Sequence, residues 1–241
     1  MKNSFEEIKK AKNPEIINGF LIKLGEDLNV DYLKYIEYFM NNLDAQIFDK
    51  VKLNLIFLIG EIGKLTILDD RYLTFLIETY YTSDRWIRNE IIQAFGKIST
   101  NSDITDEVIE LIGNAVNDDY SPIKVNALQV MLNLKELPPG VRRNIFQALN
   151  SKDSKLEVFC VKILDKFLPD YNQLVNSLNY SDNYKILKPY TIRTLLMVYF
   201  LSPLNLEPFR QKISNLNWEI EYLEIYLKEI DTYEKILFKK L

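Results

Sequence analysis

The sequence predicts an all-α chain: a right-handed α-solenoid of about six helical hairpins with a C-terminal capping helix. Three observations lead there. The 241 residues include only 7 glycines and 8 prolines, too few to punctuate a strand-rich fold. Apolar residues recur in the pattern of Val51, Leu55, Ile56, Leu58 and Ile59, a broad helical stripe and not the alternation of a strand. The stripe itself recurs about every 35 residues. A helix pair of that size cannot bury its apolar face alone, so neighbouring copies must stack into one core.

The first hairpin, 14–45, has the weakest stripe: Ile16, Phe20, Leu21, Leu24 and Gly25, 35 residues before the second copy. The second, 49–82, opens on Val51-Lys52 and runs through Leu55, Ile56, Leu58, Ile59, Gly60 and Ile62, then Leu73, Leu76 and Tyr80. The third, 84–117, lies 36 residues on, with Ile87-Arg88, Ile91, Ile92, Ala94, Phe95, Gly96 and Ile98, then Ile109, Ile112 and Val116. A further 36 residues give the fourth, 121–151, with Ile123-Lys124, Ala127, Leu128, Val130, Met131 and Leu134, then Ile145 and Leu149. The fifth, 154–181, follows after 33: Leu156-Glu157, Cys160, Val161, Ile163, Leu164 and Phe167. The sixth, 190–216, follows after 36: Ile192-Arg193, Leu196, Met197, Tyr199 and Phe200.

The junctions agree with these bounds. Ser121-Pro122 reads as an N-cap serine with proline in the first turn. Ser83 or Asp84, and Asp153 or Ser154, are placed to cap the helices that follow them, and the prolines at 138 and 139 break the chain. Residues 217–241 read as one long helix, apolar at Trp218, Tyr222, Ile225, Tyr226, Ile230, Tyr233 and Leu237, with Glu219, Glu221, Glu224 and Glu229 on its outer face. Middle copies carry Glu90, Gln93 and Lys97 on the outer stripe of their first helix, where the sixth has Leu195 and Val198. The terminal helix is the nearest element that could cover them, as the end of a repeat array requires. No linker interrupts the chain, so 1–241 is expected to be a single repeat domain.

The apolar-plus-basic pairs Val51-Lys52, Ile87-Arg88, Ile123-Lys124 and Ile192-Arg193, the helix ends Ile59–Ile62 and Phe95–Ile98, and the aspartates at 118 and 119 give residues 14–216 a pattern that resembles the HEAT-repeat family. Glu157 and Ile17 depart from it at the basic position. The resemblance implies that the recurrent basic residue is structural and that the second helices line a concave face.

Composition narrows the function. The chain has no histidine, which removes histidine-based acid–base chemistry, Ser–His and Cys–His nucleophiles and the usual zinc sets. Its single cysteine, Cys160, lies on the apolar stripe and reads as a small core residue, with no internal disulfide possible. No glycine-rich phosphate loop is present. No catalytic residue, metal or cofactor is expected, and the protein is read as no enzyme. A net charge of −4 counts against a nucleic-acid partner. The longest apolar run, Leu195 to Leu201, is far short of a membrane span, so no membrane insertion and a cytoplasmic location are expected.

The expected role is a scaffold or adaptor that binds a protein or peptide on the concave face. The candidate surface, given by the outer positions of the second helices, is Arg71, Thr74 and Glu78, then Glu107, Glu110 and Asn114, then Arg143 and Gln147, then Asn176 and Tyr180. Its acidic part makes a basic segment the natural complement. Trp86 stands apart, because the matching positions hold Lys50, Pro122, Lys155 and Thr191. It reads either as a local staple against Tyr80 or Tyr81, or as an aromatic anchor for a partner. Two other roles stay open: a HEAT-like DNA-repair glycosylase acting on alkylated bases, and a regulatory or assembly subunit of a larger complex.

Overall fold

The structure, a computed structural model, describes residues 2–10 and 12–239. It is all-helical: 78% of the chain is helix and no strand occurs among the described residues. The helices gather into two compact units, 1–134 and 135–241. The division falls within the stretch read as the fourth hairpin, 121–151.

The first unit runs through α1 (Lys2–Ile8), α2 (Pro14–Glu26), a 3-10 turn (Val30–Tyr32), α3 (Leu33–Asn42), α4 (Ala45–Gly63), α5 (Asp70–Thr82), α6 (Arg85–Ile98), α7 (Asp106–Ala115) and α8 (Ser121–Asn133). Helix α4 packs on α2 and on α6, and α6 packs on α8. Leu55, Ile56, Ile59, Ile91, Ile92, Phe95, Ala127 and Leu128 are fully buried along this series. Two glycines set how closely the helices approach. A Cβ on Gly60 would lie 2.9 Å from Ala94 Cα, and one on Gly96 would lie 2.8 Å from Val130 Cγ2. Asparagines bridge the same helices: Asn54 Nδ2 donates to Asn18 Oδ1 at 2.7 Å, and Asn126 Nδ2 to Asn89 Oδ1 at 2.9 Å.

Side-chain caps start most of these helices. Asp44, Asp69, Asp84 and Thr105 each accept from a backbone N–H of the first turn. Two junctions differ from expectation. At α8 the N-cap is Tyr120, no side chain caps the first turn, and Ser121 is already helical; Asp118 Oδ1 instead accepts from Tyr120 N at 2.8 Å, just ahead of the helix. At α2 the inward residue is Ile17 and not Ile16, which is exposed. Asn13 caps α2, and Ile17, Phe20, Leu21 and Leu24 form its buried face. Phe20 then packs with Tyr35 and Phe39 of α3 and with Phe5 of α1, a helix the sequence pattern did not reveal.

The second unit contains α9 (Pro139–Leu149), α10 (Ser154–Phe167), α11 (Tyr171–Asn179), a 3-10 segment (Tyr180–Ile186), α12 (Pro189–Tyr199), α13 (Pro203–Ser214) and α14 (Ile220–Phe238). Helix α10 packs on α9 and α12, and α14 packs on both α12 and α13. Leu195 is buried and Val198 half-buried. Glu229 is not on the outer face of α14: it is only 6% exposed. Arg193 draws it inward, donating to Oε2 from Nε at 2.9 Å and Nη2 at 2.7 Å. Tyr233 Oη donates to the Phe200 carbonyl at 2.6 Å, across the same contact.

The 3-10 segment is longer than the three-residue turn of the first unit, and it is kinked. Ser181 and Asp182 take left-handed φ of 49° and 55°, and buried Asn183 donates to the Ser177 carbonyl at 3.0 Å. Asn150, at the end of α9, ties the segment down. Its Nδ2 donates to the Ile186 carbonyl at 2.6 Å, and its Oδ1 accepts from Lys188 N at 3.0 Å and Thr191 Oγ1 at 2.7 Å. No helix among the described residues is long and apolar enough to cross a membrane.

Candidate partner-binding surface

Helices α5 and α7 lie side by side. Burial of Tyr72, Leu73, Leu76, Ile77 and Tyr80 on α5 fixes which way that helix faces. Val108, Ile109, Leu111, Ile112 and Ala115 do the same for α7. Arg71, Thr74 and Glu78 therefore face outward from the first helix, and Glu107, Glu110 and Asn114 from the second. Of the aromatics of α5, Tyr72 and Tyr80 are buried, Tyr81 is exposed, and half-buried Phe75 meets Phe48 edge-on at 5.9 Å.

Two members of this row serve the fold. The Arg71 guanidinium bridges Glu37 of α3 and Asp69, and Thr74 Oγ1 donates to the Asp70 carbonyl at 3.1 Å. Glu78, Glu107 and Glu110 are exposed carboxylates with no cation paired to them among the described residues, as are Asp70 and Asp106. Asp70, Asp106 and Glu107 sit in first turns, where the helix dipole favours negative charge. Folding gives no such reason for Glu78 or Glu110.

The remaining candidates belong to the second unit. Arg143 is half-buried, and its Nη1 donates to the Ser181 carbonyl at 3.3 Å and to Asn183 Oδ1 at 3.4 Å. It anchors the left-handed turn. Gln147 and Asn176 are exposed on α9 and α11, and Tyr180 is exposed at the start of the 3-10 segment.

Trp86 is 60% exposed and stapled to neither Tyr80 nor Tyr81, which meet each other edge-on. Its partner is Tyr120, at 5.6 Å between centroids, and the Arg85 guanidinium lies over both rings at 5.3 and 5.1 Å. Sequence proximity pointed to the tyrosines that precede Trp86; the fold supplies one from the start of α8 instead.

Arg88, beside this cluster, pairs with Asp118 at 3.0 Å and Asp119 at 3.4 Å. Asp84 is occupied in capping α6. The other recurrent cations include Lys52, paired with Asp49 at 2.6 Å, and Arg193, paired with Glu229. These are framework contacts. Burial works against charge on Asp118, but the Tyr120 N–H, Asp119 and the Arg88 guanidinium outweigh it and hold the carboxyl below its usual 3.8. Burial and the nearby Asp118 push the Tyr80 hydroxyl up to about 12.

A pH dependence follows from Asp118. A carboxyl whose folded pKa is depressed contributes stability above its unfolded value and loses it as pH falls through the folded one. Asp118→Asn is therefore expected to melt lower than the parent protein at neutral pH. The gap should narrow as pH drops below 3.8. Thermal melts of both proteins from neutral to acid pH check this; a gap that does not change with pH would contradict it.

Cys160 is buried, and burial raises its thiol to about 12, so it is inert packing. No group of three or more metal-ligating side chains occurs among the described residues.

No family model matches the chain, and no curated protein matches it. Among solved structures, the crystal structure of an engineered protein from a structural genomics consortium is similar. It has a TM-score of 0.52 and 13% sequence identity, covering 97% of this chain and 98% of that one. The likeness is one of fold alone.

Proposed function

We propose that this protein is a non-catalytic scaffold or adaptor, a HEAT-like helical-repeat protein that holds a basic segment of another protein against the α5–α7 face. The observation that carries the reading is the set of exposed, unpaired carboxylates Glu78, Glu107 and Glu110 on two adjacent helices. Carboxylates so arranged steer a basic partner toward the surface and repel an acidic one, and they set the register of binding more than its raw strength. Side-by-side helices of a repeat fold offer an extended ridge suited to a peptide or a helix of a partner.

The test is Glu107→Lys combined with Glu110→Lys. Both residues are exposed, and such positions usually change stability by no more than about 0.5 kcal/mol. The melting temperature should hardly move. Capture of partner proteins from native cell extract should weaken, and what capture remains should depend less on salt. A variant that melts normally and still captures the same proteins would move the functional surface elsewhere, with the exposed Trp86–Tyr120 cluster next in line.

A further inference from the structure

The second unit ends in a groove of about 680 Å³, lined by Leu201, Pro203, Leu204, Leu237 and Phe238, with Glu207 and Glu234 at its edge. Leu201 and Leu204 are 87% and 84% exposed, the most exposed large apolar side chains among the described residues, and Phe238 is 60% exposed. The carboxyl side has one cation for three acids. Arg210 reaches Glu207 at 3.3 Å, Glu234 at 2.9 Å, and also Asp231, which leaves negative charge in excess. By helical spacing, Phe238 has Glu234 on one flank and Lys235 and Lys239 on the other. Both lysines are exposed, and neither is paired with an acid among the described residues.

The patch therefore carries an apolar centre, an acidic edge at Glu207 and Glu234 whose charge Arg210 only partly offsets, and a basic edge with two charges unpaired. That arrangement is self-complementary. A two-fold axis through the apolar centre sets the acidic edge of each copy against the basic edge of the other. We propose that the groove formed by Leu201, Leu204 and Phe238 is the interface of a homodimer, occupied by the same groove of a second copy of this chain. An apolar patch with a charged rim is the anatomy of such an interface, and exposed apolar surface of this kind is otherwise left in water. The inference does not rest on the proposed scaffold role, because the α5–α7 face belongs to the other unit.

The experiment is sedimentation velocity on the full-length protein up to roughly 0.1 mM, a range in which micromolar association is resolved. The expected result is a concentration-dependent dimer that weakens as salt rises. Leu204→Glu, at an exposed position, should be monomeric with an unchanged melt. Lys235→Glu combined with Lys239→Glu sets carboxylates against carboxylates. It should weaken the dimer by at least about tenfold, as like charges across an interface do, and salt should then strengthen association. A parent protein that stays monomeric throughout the range would overturn the proposal, as would a dimer that survives Leu204→Glu.

Discussion

Ile112→Ala is expected to destabilise the protein by about 2–5 kcal/mol, the range for deleting a buried aliphatic side chain without collapse of the space it leaves. Ile112 has no exposed surface and sits on the inward face of α7, beneath the carboxylates of the candidate surface. For a chain of this length that is a drop in melting temperature of roughly 4–20 °C. Calorimetry reads the shift. The charge reversal at Glu107 and Glu110, on the opposite face of the same helix, is the natural control. If Ile112→Ala melted as the charge reversal does, the assignment of inner and outer faces on α7 would be wrong.

That division of faces was legible in the sequence because a helix repeats every 3.6 residues and the stripe recurs in register over most copies. Elements fixed by contacts distant in sequence were not legible. Two adjacent isoleucines begin α2, and alignment to Val51 at an offset of 35 residues points to Ile16; the structure buries Ile17, which shares a helical face with Leu21 and Leu24, and exposes Ile16. Helix α1 is one short piece whose single buried aromatic, Phe5, makes no pattern. Glu229 reads as solvated until Arg193 is brought beside it by a separation of 36 residues. The left-handed pair Ser181–Asp182 carries no glycine to announce it. One signal was available and missed. The bridging asparagines, Asn18 with Asn54 and Asn89 with Asn126, are separated by 36 and 37 residues, which is the repeat period itself. Polar residues that recur at the period of a repeat can be contacts between copies as well as solvent-facing positions.

The candidate surface was legible as a set of outward positions, and its chemistry only in part. The sequence placed Arg71 and Arg143 in it as charges available to a partner. The structure engages both guanidiniums within their own units, Arg71 with Glu37 and Arg143 with the Ser181–Asn183 turn. Helical phase gives the direction of a side chain, but whether a nearby acid or carbonyl has already claimed it depends on tertiary packing. What remains on α5 and α7 is acidic, since the Arg71 guanidinium is already engaged by Glu37 and Asp69.

Removing residues 217–241 is expected to have the largest effect of all: the shortened chain should aggregate. Helix α14 buries Tyr226, Ile230, Tyr233 and Leu237 against the rest of the second unit, and Trp218 just before it stacks on Tyr184 at 4.5 Å. Without them the faces of α12 and α13 that pack on α14 would meet water. Each large apolar side chain returned to solvent costs about 1.5–3 kcal/mol, so a few approach the ~5–15 kcal/mol that holds a whole domain folded. Polar partners would be lost as well. The Phe200 and Tyr184 carbonyls would lose the hydroxyls of Tyr233 and Tyr226, and Arg193 would lose Glu229. Light scattering of the shortened chain, with urea denaturation of whatever stays soluble, measures the outcome. Tyr233→Phe separates the two contributions. It deletes only one hydroxyl, should cost on the order of 1 kcal/mol, and should leave the chain soluble, as a net hydrogen bond of ordinary strength implies. A shortened chain that remained soluble, monomeric and cooperative would mean that α12 and α13 hold their own core, and that α14 merely rests on it.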